Sequence, residues 1–181
     1  MAQYISILRG INVGGKRKIL MSDLKLLFER LECSNIITYI QSGNVIFDYK
    51  QAIEINELEQ KIEKEILNHY NFKVPVIIRT VDQLNDAISN NPFIKQSKTE
   101  QLHLTLLSDI PDNERLEKIF EYDFSPDKFK IIEKEVFILC ANKYSDSKLT
   151  NGFFEKKLKV NATTRNWKTV NKLVELAEVS L

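Results

Sequence analysis

Two runs of β-branched and aromatic residues, 36–40 and 45–47, are joined only by Gln41-Ser42-Gly43-Asn44. So short a connection, with Gly and Asn available for positive φ, closes a hairpin and forces the runs to pair antiparallel. Residues 3–9 alternate as a half-buried strand. Ser22-Asp23 then offers a helix cap ahead of Leu24, Leu27, Phe28 and Leu31 at helical spacing. After the hairpin, Ile55, Leu58, Ile62, Ile66 and Tyr70 line one face of a helix over about 54–70, with acids in its first turns and His69 near its end. Residues 74–79 read as a strand whose Pro75 favours a sheet edge. The order over residues 3–79 is therefore β-α-β-β-α-β, the split βαβ pattern of ferredoxin-like modules.

A second version of that order follows. After a short helix near 82–89, strands are expected at 102–107, 128–132 and 136–141, with a helix near 112–120 between the first two. A helix at 146–158, a short strand and a final helix near 166–177 complete the chain. The fold class is thus α+β, with two ferredoxin-like modules in tandem, residues 1–80 and 81–181, and a C-terminal helix. Residues 90–100, polar and carrying Pro92, are the expected linker. No residue-level repeat is visible, so duplication rests on element order alone.

With 181 residues and 43% hydrophobic content, the chain can bury a sizeable core. Its longest apolar runs are far short of the roughly 20 residues that cross a bilayer, and its start lacks the basic and apolar regions of a secretion signal. A cytoplasmic protein without a membrane partner is expected. Cys33 and Cys140 are too few for a disulfide framework, and no metal-ligand spacing is present. Net charge is only +1, but residues 1–22 carry Arg9, Lys16, Arg17 and Lys18 without an acid. Residues 156–174 carry six further cations, again without one.

Three polar segments could carry a function. In the first, Arg9-Gly10-Ile11-Asn12-Val13-Gly14-Gly15-Lys16, glycines could turn backbone N–H groups toward an anion beside cations. Gly10, Gly15 and Lys16 match most of G-x-x-x-x-G-K-[ST], but Arg17 replaces the magnesium-binding hydroxyl and the helix does not follow directly, so a nucleotide triphosphatase is not indicated. Nor does the loop fit a dinucleotide fingerprint. The second segment is the hairpin turn. In a ferredoxin-like sheet the first two strands run parallel on either side of the third, which places the loop and the turn about 10 Å apart. The third, residues 161–169, leads into a helix whose N-terminus beside Arg165 and Lys168 could attract an anion. It could equally hold an ordinary cap from Thr163, Thr164 or Asn166.

Arg9-Gly10-Ile11-Asn12-Val13-Gly14-Gly15, Thr38-Tyr39-Ile40-Gln41-Ser42-Gly43-Asn44-Val45 and Ala162-Thr163-Thr164-Arg165-Asn166-Trp167 resemble the three signature segments of a bacterial family known as domain of unknown function 1697. The resemblance implies a small single-chain protein with tandem ferredoxin-like modules, and it implies no activity, cofactor or substrate. Lys168 departs from the family, many of whose members carry an uncharged polar residue there.

The residues thus favour a phosphate-bearing small molecule or nucleotide as ligand. It would be held by Arg9, Asn12, Gly14, Gly15, Lys16, Gln41, Ser42 and Asn44, with Thr164, Arg165 and Asn166 expected to complete the site. None of these earns a catalytic role, and whether the protein is an enzyme, or uses a cofactor, is left open. Nucleic-acid binding through the two acid-free segments is the alternative, and a purely structural or partner-binding role the third. Tyr4, Tyr39, Phe47 and Tyr49 offer stacking residues for RNA, but their strands lack the RNA-recognition signature. Cys140 and His103 form a nucleophile pair only on paper, with a buried inert thiol the simpler reading.

Overall fold

A computed structural model describes residues 2–95 and 97–179. Met1, Gln96 of the expected linker, and Ser180 and Leu181 lie outside the described residues. The chain divides into two compact units, one running to Asp86 and resuming at Lys172, the other Ala87–Asn171.

In the first unit, β1 (Ala2–Leu8), α1 (Met21–Arg30), β2 (Ser34–Tyr39), β3 (Asn44–Tyr49), α2 (Ile55–Tyr70) and β4 (Val76–Thr80) form an antiparallel sheet in the order β2-β3-β1-β4. The helix α3 (Val81–Ser89) follows. In the second, β5 (Leu102–Leu107), α4 (Asn113–Ile119), β6 (Lys128–Ile132), β7 (Glu135–Leu139), α5 (Asn151–Leu158) and β8 (Ala162–Asn166) repeat the pattern as β6-β7-β5-β8, and α6 (Trp167–Val179) closes the chain. Both orders are consistent with the ferredoxin-like arrangement.

Each sheet buries one face under its two helices. In the first unit Phe47 of β3 meets Phe28 of α1 edge to face at 5.0 Å and Tyr4 of β1 at 5.8 Å. Leu58, Ile62 and Ile66 of α2 complete that core, each contributing roughly 1.5–3 kcal/mol by burial. Tyr4, Phe47 and Tyr49 are therefore core residues, with relative exposures of 8%, 0% and 1%. They are unavailable for stacking on RNA, because the alternation of the strands turns them toward the helices.

The duplication extends to individual residues. Leu8 donates its amide to the Gly43 carbonyl at 2.8 Å, and Leu107 donates to Lys134 at 2.8 Å. The next amides, Arg9 and Ser108, donate to Pro75 and Asn161, both at 2.9 Å. Arg79, opposite Ile5 on β1, folds Nη1 back to the Ile78 carbonyl at 2.9 Å; Arg165, opposite Leu104 on β5, does the same to Thr164 at 2.9 Å. Thr80 and Asn166 then cap the helices that follow, accepting from Gln83 at 3.2 Å and Thr169 at 2.8 Å. The outer strands β4 and β8 are also treated alike. Glu59 and Glu63 of α2 accept from the Ile78 and Val76 amides at 2.7 and 2.8 Å, while Glu155 of α5 accepts from Ala162 at 3.2 Å. Occupied edge amides cannot template a further strand.

Strand ends shift by one or two residues from expectation, and two helix starts differ for a physical reason. The first helix starts at Met21, with Leu20 at its N-cap and no side-chain cap, because Ile19 is held from both sides by Asn12 and fixes the entry of the chain. The helix expected over 146–158 is a 3₁₀ turn at Tyr144–Asp146 followed by α5, whose cap is Thr150 accepting from Phe153 at 3.2 Å.

Candidate functional site

After Leu8 the chain leaves the sheet and forms a small finger. Asn12, at φ 56°, closes its base: Nδ2 donates to the Ile19 carbonyl at 2.9 Å and the Gln41 carbonyl at 2.8 Å, and Oδ1 accepts the Ile19 amide at 2.9 Å. Above it the Asn12 amide donates to Arg17 at 3.2 Å and the Lys16 amide to Val13 at 3.0 Å. Gly14 and Gly15, at φ 58° and 74°, make the reversal, the double positive φ of a type I′ hairpin turn. A Cβ on either glycine would meet nothing within 4 Å, so the tip stands in open space. Val13, Lys16, Arg17 and Lys18 are exposed along it.

The hairpin turn seals against this base. Gly43, at φ 78°, lies so close that a Cβ would fall 2.6 Å from Ile11 Cδ1 and 2.9 Å from Leu8 Cβ. Asn44 is fully buried, and its Nδ2 donates to the Tyr39 carbonyl at 2.9 Å and to Ser42 Oγ at 3.1 Å. Ile40 holds φ 51°, a region costly for a β-branched residue, while remaining 47% exposed.

The loop and the turn thus meet, but their polar side chains divide into two groups. Asn12 spends both kinds of amide atom on the backbone, Asn44 is internal, and Arg9 is half-buried with partners of its own. Lys16, Gln41 and, in part, Ser42 face solvent, together with Arg17 and Lys18. Gly14 and Gly15 supply the reversal between Val13 and Lys16. Arg17 and Lys18 belong to the acid-free run of residues 1–22, while the phosphate-loop spacing includes Lys16 alone among the finger's cations. A cleft of about 620 Å³ lined by Tyr4, Tyr49, Lys50 and Glu54 lies toward the other end of β1.

In the second unit, the third segment is the expected short strand, β8, running directly into α6. Thr164 sits at the hub of a polar cluster: its hydroxyl donates to Asn151 Oδ1 at 2.6 Å, accepts from Tyr144 at 3.1 Å and lies 2.6 Å from Thr105 Oγ1. Arg165 Nη1 donates to Thr163 Oγ1 at 3.1 Å as well as to the Thr164 carbonyl, and burial pushes its guanidinium down to about 10, still charged at neutral pH. Asn166 is the helix cap. His103 stacks on Tyr144 at 4.6 Å, its Nδ1 is buried without a partner among the described residues, and burial lowers its pKa against a hydrogen bond to the Gln101 backbone. Cys140 is buried and held up at about 11, chiefly by burial, so it is a thiol rather than a nucleophilic thiolate at neutral pH.

A family model described as a protein of unknown function, DUF1697, matches residues 1–137. The chain belongs to the DUF1697 family. The match takes in the finger and the hairpin turn and ends before β8, leaving the Ala162–Trp167 segment outside it. No curated protein matches the chain. Among solved structures, the conserved bacterial protein SP0830 from Streptococcus pneumoniae is similar with a TM-score of 0.79 at 21% identity, over 97% of this chain and 98% of that one. At that identity the likeness extends to the fold. No helix among the described residues is long and apolar enough to cross a membrane.

Proposed function

We propose that this DUF1697 protein binds nucleic acid through the finger, with Lys16, Arg17 and Lys18 neutralising backbone phosphates. The observation that supports it is the finger's shape: a stapled hairpin carrying three exposed, consecutive cations on a convex projection whose glycine tip touches nothing. A convex cationic ribbon suits an extended polyanion that it can lie against, whereas a small ligand needs walls around it. The buried, protonated Cys33 and Cys140 suit a cytoplasmic setting.

A second reading, a phosphate-bearing small molecule or nucleotide on the same rim, is favoured by the exposed Gln41 and half-buried Ser42 beside the finger's base. Gel-shift titration with a duplex and a single strand at low salt, run beside a thermal-shift screen of phosphorylated metabolites, separates the two. A complex with either polymer that weakens steeply with salt supports the finger. A metabolite shift without any polymer complex supports the second reading instead.

A further inference from the structure

The duplication shows what the polar cluster around Thr164 replaces. Thr105 faces Thr164 across the sheet where Ser6 faces Ile78, and His103 holds the place of Tyr4. Glu155 holds the Ala162 amide as Glu63 holds that of Val76, so Asn151, one turn earlier, corresponds to Glu59. In the first unit α2 extends a further turn back from Glu59 to Ile55, and Glu54 and Glu57 at its start line a cleft with Tyr4. In the second, α5 begins at Asn151 itself. The place of the missing turn is taken by Tyr144, whose ring stacks on His103 at 4.6 Å.

Counting protons shows which groups of this cluster are spent. Thr164 has one proton and gives it to Asn151 Oδ1, so Thr105 and Tyr144 both donate to Thr164. The run of hydroxyls ends on Asn151 Oδ1, and the other end of that amide, Nδ2, is a donor directed away from Thr164. Beside it, the Asn151 and Gly152 amides open α5 with no carbonyl a turn behind them, whereas Phe153 donates to Thr150. A Cβ on Gly152 would meet only Thr150 Oγ1, at 4.0 Å, and no acid stands in this turn to offset the positive end of the helix.

His103 is a further unspent group. It is only 8% exposed, and its Nδ1 has no partner among the described residues. Strand alternation turns it to the same face as Thr105, and its ring lies against Tyr144, so it stands within the cluster. A buried nitrogen left unpaired is costly, which calls for a partner that the chain itself does not supply. The charged neighbours leave room for a negative one. Lys143 and Asp146 on either side of Tyr144 are exposed, Glu155 is committed to the Ala162 amide, and alternation turns Arg165 to the other face of β8.

We infer that the start of α5 is a binding site for a phosphate group, free or on a small monoester, held by the Asn151 and Gly152 amides and Asn151 Nδ2 and completed by His103 Nδ1. Near neutral pH a phosphate presents both ionised oxygens and a hydroxyl, so it pairs with Nδ1 whether that nitrogen accepts or donates. A carboxylate only accepts. The site lies in the second unit and does not rest on the nucleic-acid reading of the finger.

The chain has two histidines, so NMR of the imidazole protons in the full chain reads the site through His103 and a control through His69, exposed near the end of α2. Inorganic phosphate and, separately, glycerol phosphate are added at constant pH and ionic strength up to about 50 mM, where a site with Kd of about 1 mM fills. The His103 signals should shift saturably and those of His69 should stay. A response to the ester names a phosphorylated metabolite as the ligand class, and a response to inorganic phosphate alone names the free ion; either upholds the site. Asn151→Asp keeps the acceptor that Thr164 uses and suits a helix start, so its melting temperature should hold. By turning the Nδ2 donor into a carboxylate oxygen, it should weaken phosphate binding tenfold or more. His103 signals that follow neither probe overturn the site. So do equal shifts of both histidines, the mark of an adventitious ion, and full phosphate binding by Asn151→Asp, which assigns the cluster to packing alone. A variant with Lys16, Arg17 and Lys18 replaced should bind phosphate as before, and loss of the His103 response in it overturns a site separate from the finger.

Discussion

Asn12 donates through Nδ2 to the Gln41 carbonyl at 2.8 Å, joining two segments 29 residues apart in sequence. The same side chain grips both the amide and the carbonyl of Ile19. One residue therefore fixes the finger's base to the hairpin turn and sets the direction in which the finger projects.

Replacing Asn12 by Ala removes three hydrogen bonds and leaves a non-Gly residue at φ 56°. The expected loss is about 2–4 kcal/mol by urea denaturation, at roughly 1 kcal/mol per bond plus the backbone term. A loss below about 0.5 kcal/mol would show that the finger's base is held by other contacts.

Two glycines separate packing from backbone strain. Gly43→Ala drives a Cβ to 2.6 Å from Ile11 Cδ1 at φ 78°, whereas Gly14→Ala meets only an unfavourable φ of 58° in open space. Gly43→Ala should cost about 3 kcal/mol or more and Gly14→Ala about 1–2. Equal losses in thermal denaturation would contradict the seal between loop and turn.

His103 makes the second unit sensitive to acid. Burial lowers its pKa in the folded chain below the unfolded value near 6.5. Between the two values the unfolded chain binds more protons, so stability rises with pH across that window. It is fully present above about pH 6.5 and is lost as pH falls toward the folded pKa. His103→Gln should flatten the dependence of the urea midpoint between about pH 5 and 7; an unchanged slope would mean that other groups carry it.

Both thiols should resist modification. Cys33 and Cys140 are buried, and burial raises them to about 12 and about 11. A thiol-specific disulfide reagent at pH 8 should label neither in the folded protein and both after denaturation. Fast labelling of Cys140 in the folded chain would reopen its role as a nucleophile.

The hairpin, the two β-α-β-β-α-β units and the cores were legible because apolar spacing and turn residues act locally. β8 was faint since Ala162-Thr163-Thr164-Arg165-Asn166 reads as polar, and only the register reveals that Thr164 spends its hydroxyl on Thr105, Tyr144 and Asn151. Residue-level duplication was hidden for the same reason: Arg79 and Arg165 correspond only once their strands are aligned opposite β1 and β5. Within the candidate site, the cationic run at Lys16–Lys18 could be read from charge, but not the consumption of Asn12 by backbone groups or of Asn44 by the Tyr39 carbonyl and the Ser42 hydroxyl. A string of glycines equally permits an anion cradle and a type I′ turn, and the Val13–Lys16 pairing selects the turn.

The most direct measurement is the salt dependence of nucleic-acid binding by the intact chain and by a variant with Lys16, Arg17 and Lys18 all replaced by Ala. Three lost phosphate contacts should reduce the magnitude of the slope of log K against log salt by about 2–3 and weaken binding of every sequence alike. Equal slopes for the two proteins, or no complex at about 50 mM salt, would contradict nucleic-acid binding by the finger.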